Sequence, residues 1–376
     1  MKNNSARNMR LIGMIRKEMW QIIRDPSSIA IAFVMPVVLL FMFGYGVSLD
    51  AKNIPVGIAI EKPDLITESL SDSFAQSEFF KPVYFNTIQN AQTALNEREI
   101  DGIVWLRNNF SENLQAGKRA PIEIIINGVD SNQANITMGY IQGVWQSWLT
   151  LFANSKGTTL NLPVVLQQRV WFNSALNSRL FLVPGVIAVI MTMIGSLLTA
   201  MVVAREWERG TMEALMVTPL NMKEMLAGKL IPYFILGMAS MFLSVALAVW
   251  HFGIPLRGSF MVMVLVSALF MLVSLMIGLL ISIVAKNQFV AGQTAIAASF
   301  LPAFLLSGFL FDINSMPTIV QGITYLIPAR YFVAQLQTLF LAGNIWPVIL
   351  SNAAALMLML IVFSALVARK SRKTLE

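Results

Sequence analysis

Cysteine is absent from this 376-residue chain, and histidine occurs once, at His251. The first absence excludes disulfides, thiolate nucleophiles and every zinc or iron–sulfur site that needs sulfur; the second excludes multi-histidine metal centres. With one His, no Ser-His-Asp, Cys-His or His-Glu catalytic set can be assembled. Charge is scarce as well. Asp, Glu, Lys and Arg make up 12% of the residues, against roughly 25% in a soluble domain, while 56% are hydrophobic and the mean hydropathy is +0.66. Too little polar surface remains to keep such a chain in water, and it reads as a membrane protein. A phosphate-cradling G-x-x-x-x-G-K-[ST] loop is also missing. The Gly-Lys pairs at Gly117 and Gly228 run into Arg119 and Leu230 and lack the upstream glycine. ATP hydrolysis by that device must come from another chain.

What is present are long uncharged runs. A helix needs about 20 apolar residues to cross the hydrocarbon core, and six stretches qualify: residues 26–49, 180–204, 230–256, 258–285, 287–311 and 346–368. The apolar tract 312–345 is broken by Pro317, Gly322, Pro328 and Arg330 and is too short for two more crossings, so re-entrant or external interfacial helices are expected there. The first run ends without a small-x-small cleavage site, which makes it an uncleaved anchor. With the N-terminus in the cytoplasm, short cytoplasmic segments hold 15 of the Lys and Arg residues, and the short outer loops hold only Arg257 and Arg330. The positive-inside rule therefore puts both termini in the cytoplasm. The formal net charge of +7 resolves into +8 inside and −1 outside. It is an orientation signal, not a nucleic-acid footprint.

Residues 50–179, between spans one and two, are ordinary mixed-charge material. Strand-like IPVGIAIE, KPVYF, IDGIVWL and PIEIIING alternate with helical segments, the first capped by Asp64 and the last running from Gln133 to about Ser155. That alternation indicates a small α/β domain on the non-cytoplasmic face; it contains no ligand constellation. The expected fold is an α-helical polytopic membrane protein with six transmembrane helices plus an α/β extracytoplasmic domain between helices 1 and 2.

Two cytoplasmic segments carry more information than a linker needs. In residues 1–27, Arg10, Lys17 and Arg24 recur every seven residues, while Ile12, Ile15, Met19, Ile22 and Ile23 share the other side of a helix. Such a helix lies in the membrane interface with its cations toward lipid phosphate, either as a mere anchor or as an elbow that passes motion from a cytoplasmic partner into span one. Asp25-Pro26 turns the chain into the bilayer. Residues 205–229 pack four acids (Glu206, Glu208, Glu213, Glu224) and four bases around the breaks at Gly210 and Thr218-Pro219, and Asn221 with Glu224 forms a helix cap. A plain loop has no use for an amphipathic turn flanked by breakers and charges, and the segment reads as a docking element for another protein.

AREWERGTMEALMVTP is similar to the signature of the ABC transporter type-2 permeases, E-x-x-x-G-T-x-E-x-L-x-x-T-P, matched by Glu206, Gly210, Thr211, Glu213, Leu215, Thr218 and Pro219. KEMWQIIRDPSSIAIAFVMPVVLLFMFGYG resembles the family's start, and GFLFDINSMPTIVQGITYLIPARYF its stretch after span five. The resemblance runs through the whole chain, and the large outside domain places it with bacterial, drug-efflux-like members. It implies a non-catalytic permease subunit whose coupling segment, Arg209 included, sits on a separate P-loop ATPase subunit that binds ATP and Mg. It also implies pairing with a second copy or a paralogue, and a place in the bacterial inner membrane. By analogy with some relatives, the outside domain would meet a periplasmic adaptor and an outer-membrane channel. The cargo is expected to be hydrophobic or amphiphilic.

The spans carry almost no ionisable group; only His251, near the outer end of span three, is available, which argues against an ion-coupled carrier. A sensor or scaffold with a ligand-binding outside domain is the other alternative. Small and hydroxyl residues form stripes: Gly185, Ala188, Thr192, Ser196 and Thr199 on span two, Ser267, Ser274, Gly278 and Ser282 on span four. Close helix packing is one explanation; lining of a transport path is the other. Gln293, Thr294, Phe300 and Phe304 of span five are further candidates for contact with cargo.

Overall fold

The computed structural model describes residues 2–46, 53–97, 99–118, 120–127, 131–155, 178–212, 217 and 221–371. They fall into two units, Met1–Ser48 with Val170–Glu376, and Leu49–Arg169.

The first unit is helical. Helix α1 (Lys2–Ile23) precedes α2 (Pro26–Gly46), the first of six helices among the described residues that are long and apolar enough to cross a membrane. The others are α7 (Ser178–Glu208), α8 (Met222–Ala246, continued to His251), α9 (Phe260–Ala285), α10 (Gln288–Leu306) and α13 (Trp346–Lys370). The tract after span five folds as two short helices, α11 (Thr318–Thr324) and α12 (Pro328–Leu341). Neither is among the six. α12 is no surface element, because Phe332, Leu336, Leu339 and Phe340 are fully buried in the helical core and the Phe332 ring stacks on Phe270 of α9 at 4.2 Å.

Helix α7 is the centre of this unit and is buried along nearly its whole length. Its packing on α9 depends on glycine. A Cβ built on Gly278 would collide with Thr199 Oγ1 and with the backbone carbonyl of Ser196, and one on Gly195 with Ser274 Cβ. Without a hydrophobic drive between helices in lipid, this close approach supplies van der Waals contact and interhelical hydrogen bonds. Thr199 Oγ1 donates across to Leu275 O at 3.2 Å, and Ser282 Oγ accepts from the backbone N–H of Val203 and Ala204 at 2.9 Å each. Four turns among the described residues are π-helical: Ala30–Val34, Met42–Gly46, Leu247–His251 and Ile296–Phe300. The second and fourth bring Phe43 and Phe300 into an aromatic group in which Phe304 lies 5.8 Å from Phe43 and 6.0 Å from Phe300.

The second unit is a four-stranded mixed sheet in the order β2-β1-β3-β4. β1 (Ile54–Ile60) pairs in parallel with β2 (Phe80–Phe85) and β3 (Gly102–Leu106), and β4 (Glu123–Ile126) runs antiparallel to β3. Alternation along the strands divides two cores. Ile54, Val56, Ile58, Val104 and Leu106 pack with α3 (Leu65–Ala75), α5 (Phe110–Gln115) and α6 (Ser131–Ser155) through Phe74, Phe110 and Trp148. Ala59 and Ile103 face α4 (Ile88–Asn96) through Ile88, Ala91 and Ala94. Asp64 caps α3 as the sequence predicts, accepting from the backbone N–H of Ile66 and Thr67 at 3.0 and 2.9 Å.

Candidate functional site: a buried charge knot at the helix ends

The charged residues around the signature are not in a loop. Helix α7 continues past the uncharged run to Glu208, and α8 begins at Met222, eight residues before that run does. Charges carried on these helix ends meet α1. Lys229 of α8 and Glu18 of α1 are each 1% exposed, and Lys229 Nζ donates to Glu18 Oε1 at 2.8 Å and to Glu206 Oε1 at 2.9 Å. Lys17 Nζ donates to Glu206 Oε1 at 2.6 Å and to Glu18 Oε1 at 3.2 Å. Two ammonium groups thus face two carboxylates, and Thr211 Oγ1 closes the second oxygen of Glu206. Buried ions are tolerable only when paired and hydrogen-bonded in this way. Burial pulls the Lys17 ammonium down, but the hydrogen bond to Glu206 and the charges of Glu18 and Glu206 outweigh it and hold Lys17 above its usual range.

Two further links flank the knot. Arg10 NH2 of α1 reaches Glu224 Oε1 of α8 at 3.4 Å, while Glu224 Oε2 accepts from the Asn221 backbone N–H at 3.2 Å. Arg205 of α7 bonds Asp25 Oδ2 at 3.1 Å and Gln288 Oε1 at 3.2 Å, and Glu208 accepts from the backbone N–H of Gln288 at 3.0 Å, which joins the end of α7 to the start of α10. Asp25 pays desolvation that raises its pKa, yet hydrogen bonds from Ser27 and Ser28 and the charge of Arg205 bring it to about 2. Beneath the polar layer, Met14, Val203, Met212, Met225, Leu279 and Val367 form an apolar cluster.

Of the signature, Glu206, Arg209, Gly210 and Thr211 are described; Glu213, Leu215, Thr218 and Pro219 lie outside the described residues. Glu206 is 5% exposed and turned into the chain, whereas Glu208, Arg209 and Gly210 are exposed, with Gly210 at φ +68°, a turn that ends α7. Two of the four acids of the segment, Glu206 and Glu224, are therefore spent on α1, because an acid at the end of a buried helix needs a cation there. The cations of α1 differ from expectation in the same way. Lys17 bonds into the knot and Arg10 bonds Glu224 beside it, instead of facing outward to lipid phosphate; Arg24 stays exposed, with its guanidinium 5.7 Å from the Trp20 ring. Met9, Ile12 and Ile23 are exposed on the far side of α1.

The hydroxyl stripe of α7 sits inside the helix packing. Thr192, Ser196 and Thr199 are buried and donate to carbonyls four residues back on their own helix. Gln293 and Thr294 are exposed on the surface of this unit, and Phe300 and Phe304 are half-buried in the aromatic group. His251 is exposed at the end of its helix, 3.1 Å from Tyr45 Oη. Among the described residues no group of His, Asp and Glu could hold a metal ion.

Sequence reasoning missed Glu18 and Lys229. A signal exists for the first: Met14, Glu18 and Ile22 stand four apart, so one acid occupies the stripe that faces the protein.

A family described as ABC-2 family transporter protein matches residues 26–369. Curated relatives match along nearly their whole length. The chain is 43% identical over 361 residues, 96% of both chains, to "Probable multidrug ABC transporter permease YbhS" of Escherichia coli K12. It is 28% identical over 356 residues, 92% of this chain and 95% of the relative, to "Probable multidrug ABC transporter permease YbhR" of the same strain. "Inner membrane transport permease YhhJ" of that strain is 27% identical over 307 residues, 80% of this chain and 81% of the relative.

Proposed function

Because the chain belongs to the ABC-2 family of transporter proteins and is a multi-pass membrane permease of that family, we propose that it exports hydrophobic or amphiphilic, drug-like molecules. ATP and Mg are bound by a separate P-loop ATPase subunit, and this chain has no catalytic role of its own. It works beside a second copy or a paralogue in the inner membrane of a bacterium, with both termini in the cytoplasm and the α/β unit in the periplasm. A periplasmic adaptor and outer-membrane channel are further partners of that unit.

The observation that carries this reading is the knot. The family's coupling signature begins at Glu206, and Glu206 is hydrogen-bonded at once to α1, through Lys17, and to α8, through Lys229. A push on the exposed residues 208–211 by an ATPase subunit is thereby shared by three helices. Buried ion pairs resist separation, so the three ends move together instead of fraying.

In vesicles containing the chain and its ATPase, Glu213→Arg leaves ATP hydrolysis in place and abolishes ATP-dependent efflux of an amphiphilic dye. Wild-type efflux in that variant would sink the coupling assignment. Affinity purification of the tagged chain should bring down a P-loop ATPase in about equal amount; purification without one would favour a scaffold.

A further inference from the structure

A cleft of about 600 Å³ opens beside the knot, between the end of α1, the start of α2 and the end of α7. Four cations line it, Lys17, Arg24, Arg205 and Arg209, against one carboxylate, Asp25. That carboxylate is already occupied by Arg205, Ser27 and Ser28. Lys17 and Arg205 have partners of their own, but no carboxylate of the described residues lies within ion-pair distance of Arg24 or Arg209, and both are exposed. Two exposed guanidinium groups in one cleft make a receptor for phosphate, whose oxygens match their planar fork.

The rim says where the phosphate comes from. Trp20 and Pro26 line the cleft together with Met201. Trp20 is 51% exposed and continues the exposed side of α1 on which Met9, Ile12 and Ile23 surround a single cation, Arg16. Indole rings with one face wet collect at the headgroup level of a bilayer, and an apolar helix side exposed beside a membrane span lies in the interface plane. The volume falls in the range of small-molecule sites and suits a phosphoglycerol headgroup.

We infer that this cleft binds the headgroup of an anionic phospholipid, with Arg24 and Arg209 on the phosphate and Trp20 against the glycerol. An acidic segment of a soluble protein would use the cations but has no use for the apolar rim. The site requires that α1 lie along a bilayer surface and that Arg209, which the coupling reading places beside the ATPase subunit, stay open to the cleft; it does not depend on export or on any cargo.

The test uses the purified full chain in mixed micelles with equimolar phosphatidylglycerol and phosphatidylcholine, read by native mass spectrometry. Phosphatidylglycerol should be retained over phosphatidylcholine by roughly thirtyfold, the factor expected of two surface cations facing an anionic lipid, and Arg24→Gln with Arg209→Gln should bring the two lipids to parity. Equal retention by the wild type, or unchanged selectivity in the double variant, overturns the site. Displacement of the lipid by millimolar inorganic phosphate makes it a small-anion site and overturns the lipid assignment, as does its exclusion by the bound ATPase subunit. A second readout begins with the unmodified chain. Phosphatidylglycerol brominated near the glycerol should quench tryptophan fluorescence more than the matching phosphatidylcholine, and Trp20→Phe should remove the difference; no difference in the wild type refutes the proposal.

Discussion

Replacing Lys229 by methionine tests whether the charge knot holds the helix ends together. Its ammonium is 1% exposed and bonds Glu18 at 2.8 Å and Glu206 at 2.9 Å. Methionine keeps the length of the side chain and removes the charge, which leaves two buried carboxylates against the single, half-exposed Lys17. Two charge-assisted hydrogen bonds at about 1.5–3 kcal/mol each set the loss at roughly 3–6 kcal/mol, in line with the ~3–5 kcal/mol cost of breaking a buried pair from one side. The assay is thermal and denaturant unfolding of the detergent-solubilised chain at neutral pH. Adding Glu18→Gln restores balance, because Lys17 and Glu206 remain as a matched pair. The double variant should therefore lose less than the two single variants together, with a coupling of about 1.5–3 kcal/mol. A Lys229→Met protein within about 1 kcal/mol of wild type, or strict additivity with Glu18→Gln, refutes the reasoning.

The Asp25 link predicts an acid dependence with a defined sign. Its pKa falls from the ordinary 3.8 to about 2 on folding, so its stabilisation of up to about 2 kcal/mol is complete above about pH 5 and is lost as pH drops from about 4 to 2. The stability gap between wild type and Asp25→Asn should be open at pH 6 and closed near pH 2; a constant gap would contradict it. Gly278→Val should destabilise by ~3 kcal/mol or more, since the new side chain meets a backbone carbonyl that cannot move aside. Membrane yield and unfolding temperature report it. Gly13→Ala, with nothing within 4 Å of the new methyl, should instead leave the protein unchanged or gain up to about 1 kcal/mol of helix stability.

Six spans, four strands and the caps at Asp64 and Glu224 were legible because each rests on a short-range pattern: uncharged length, alternation of two, a side chain three residues from its backbone partner. The signature was legible for the same reason. What the pattern could not supply is the destination of each charge. A run of acids and bases looks alike whether it faces water or a neighbouring helix, and only the fold brings Glu18, more than two hundred residues away in sequence, to Lys229. Helix ends are hidden from the sequence for a related reason. An uncharged run marks where a helix is apolar, not where it ends, and Arg205 and Glu206 stay helical once each has a partner. The hydroxyls of α7 likewise admitted two readings, and the contact of Gly278 with Thr199 shows how closely that stripe is packed.

The π-helical turns alter how distances along these spans should be counted. A turn closed by i→i+5 bonds takes in one residue more than its neighbours, so the faces before and after it slip by one position. Across Ile296–Phe300, Gln293 and Phe304 do not share the face that ordinary helical spacing assigns them. The Phe43–Phe304 contact, made between α2 and α10 next to two such turns, is set by that slip. A one-residue deletion inside Ile296–Phe300 would turn it into an ordinary α-helical turn and leave both halves of the span facing as they do now, with its length almost unchanged.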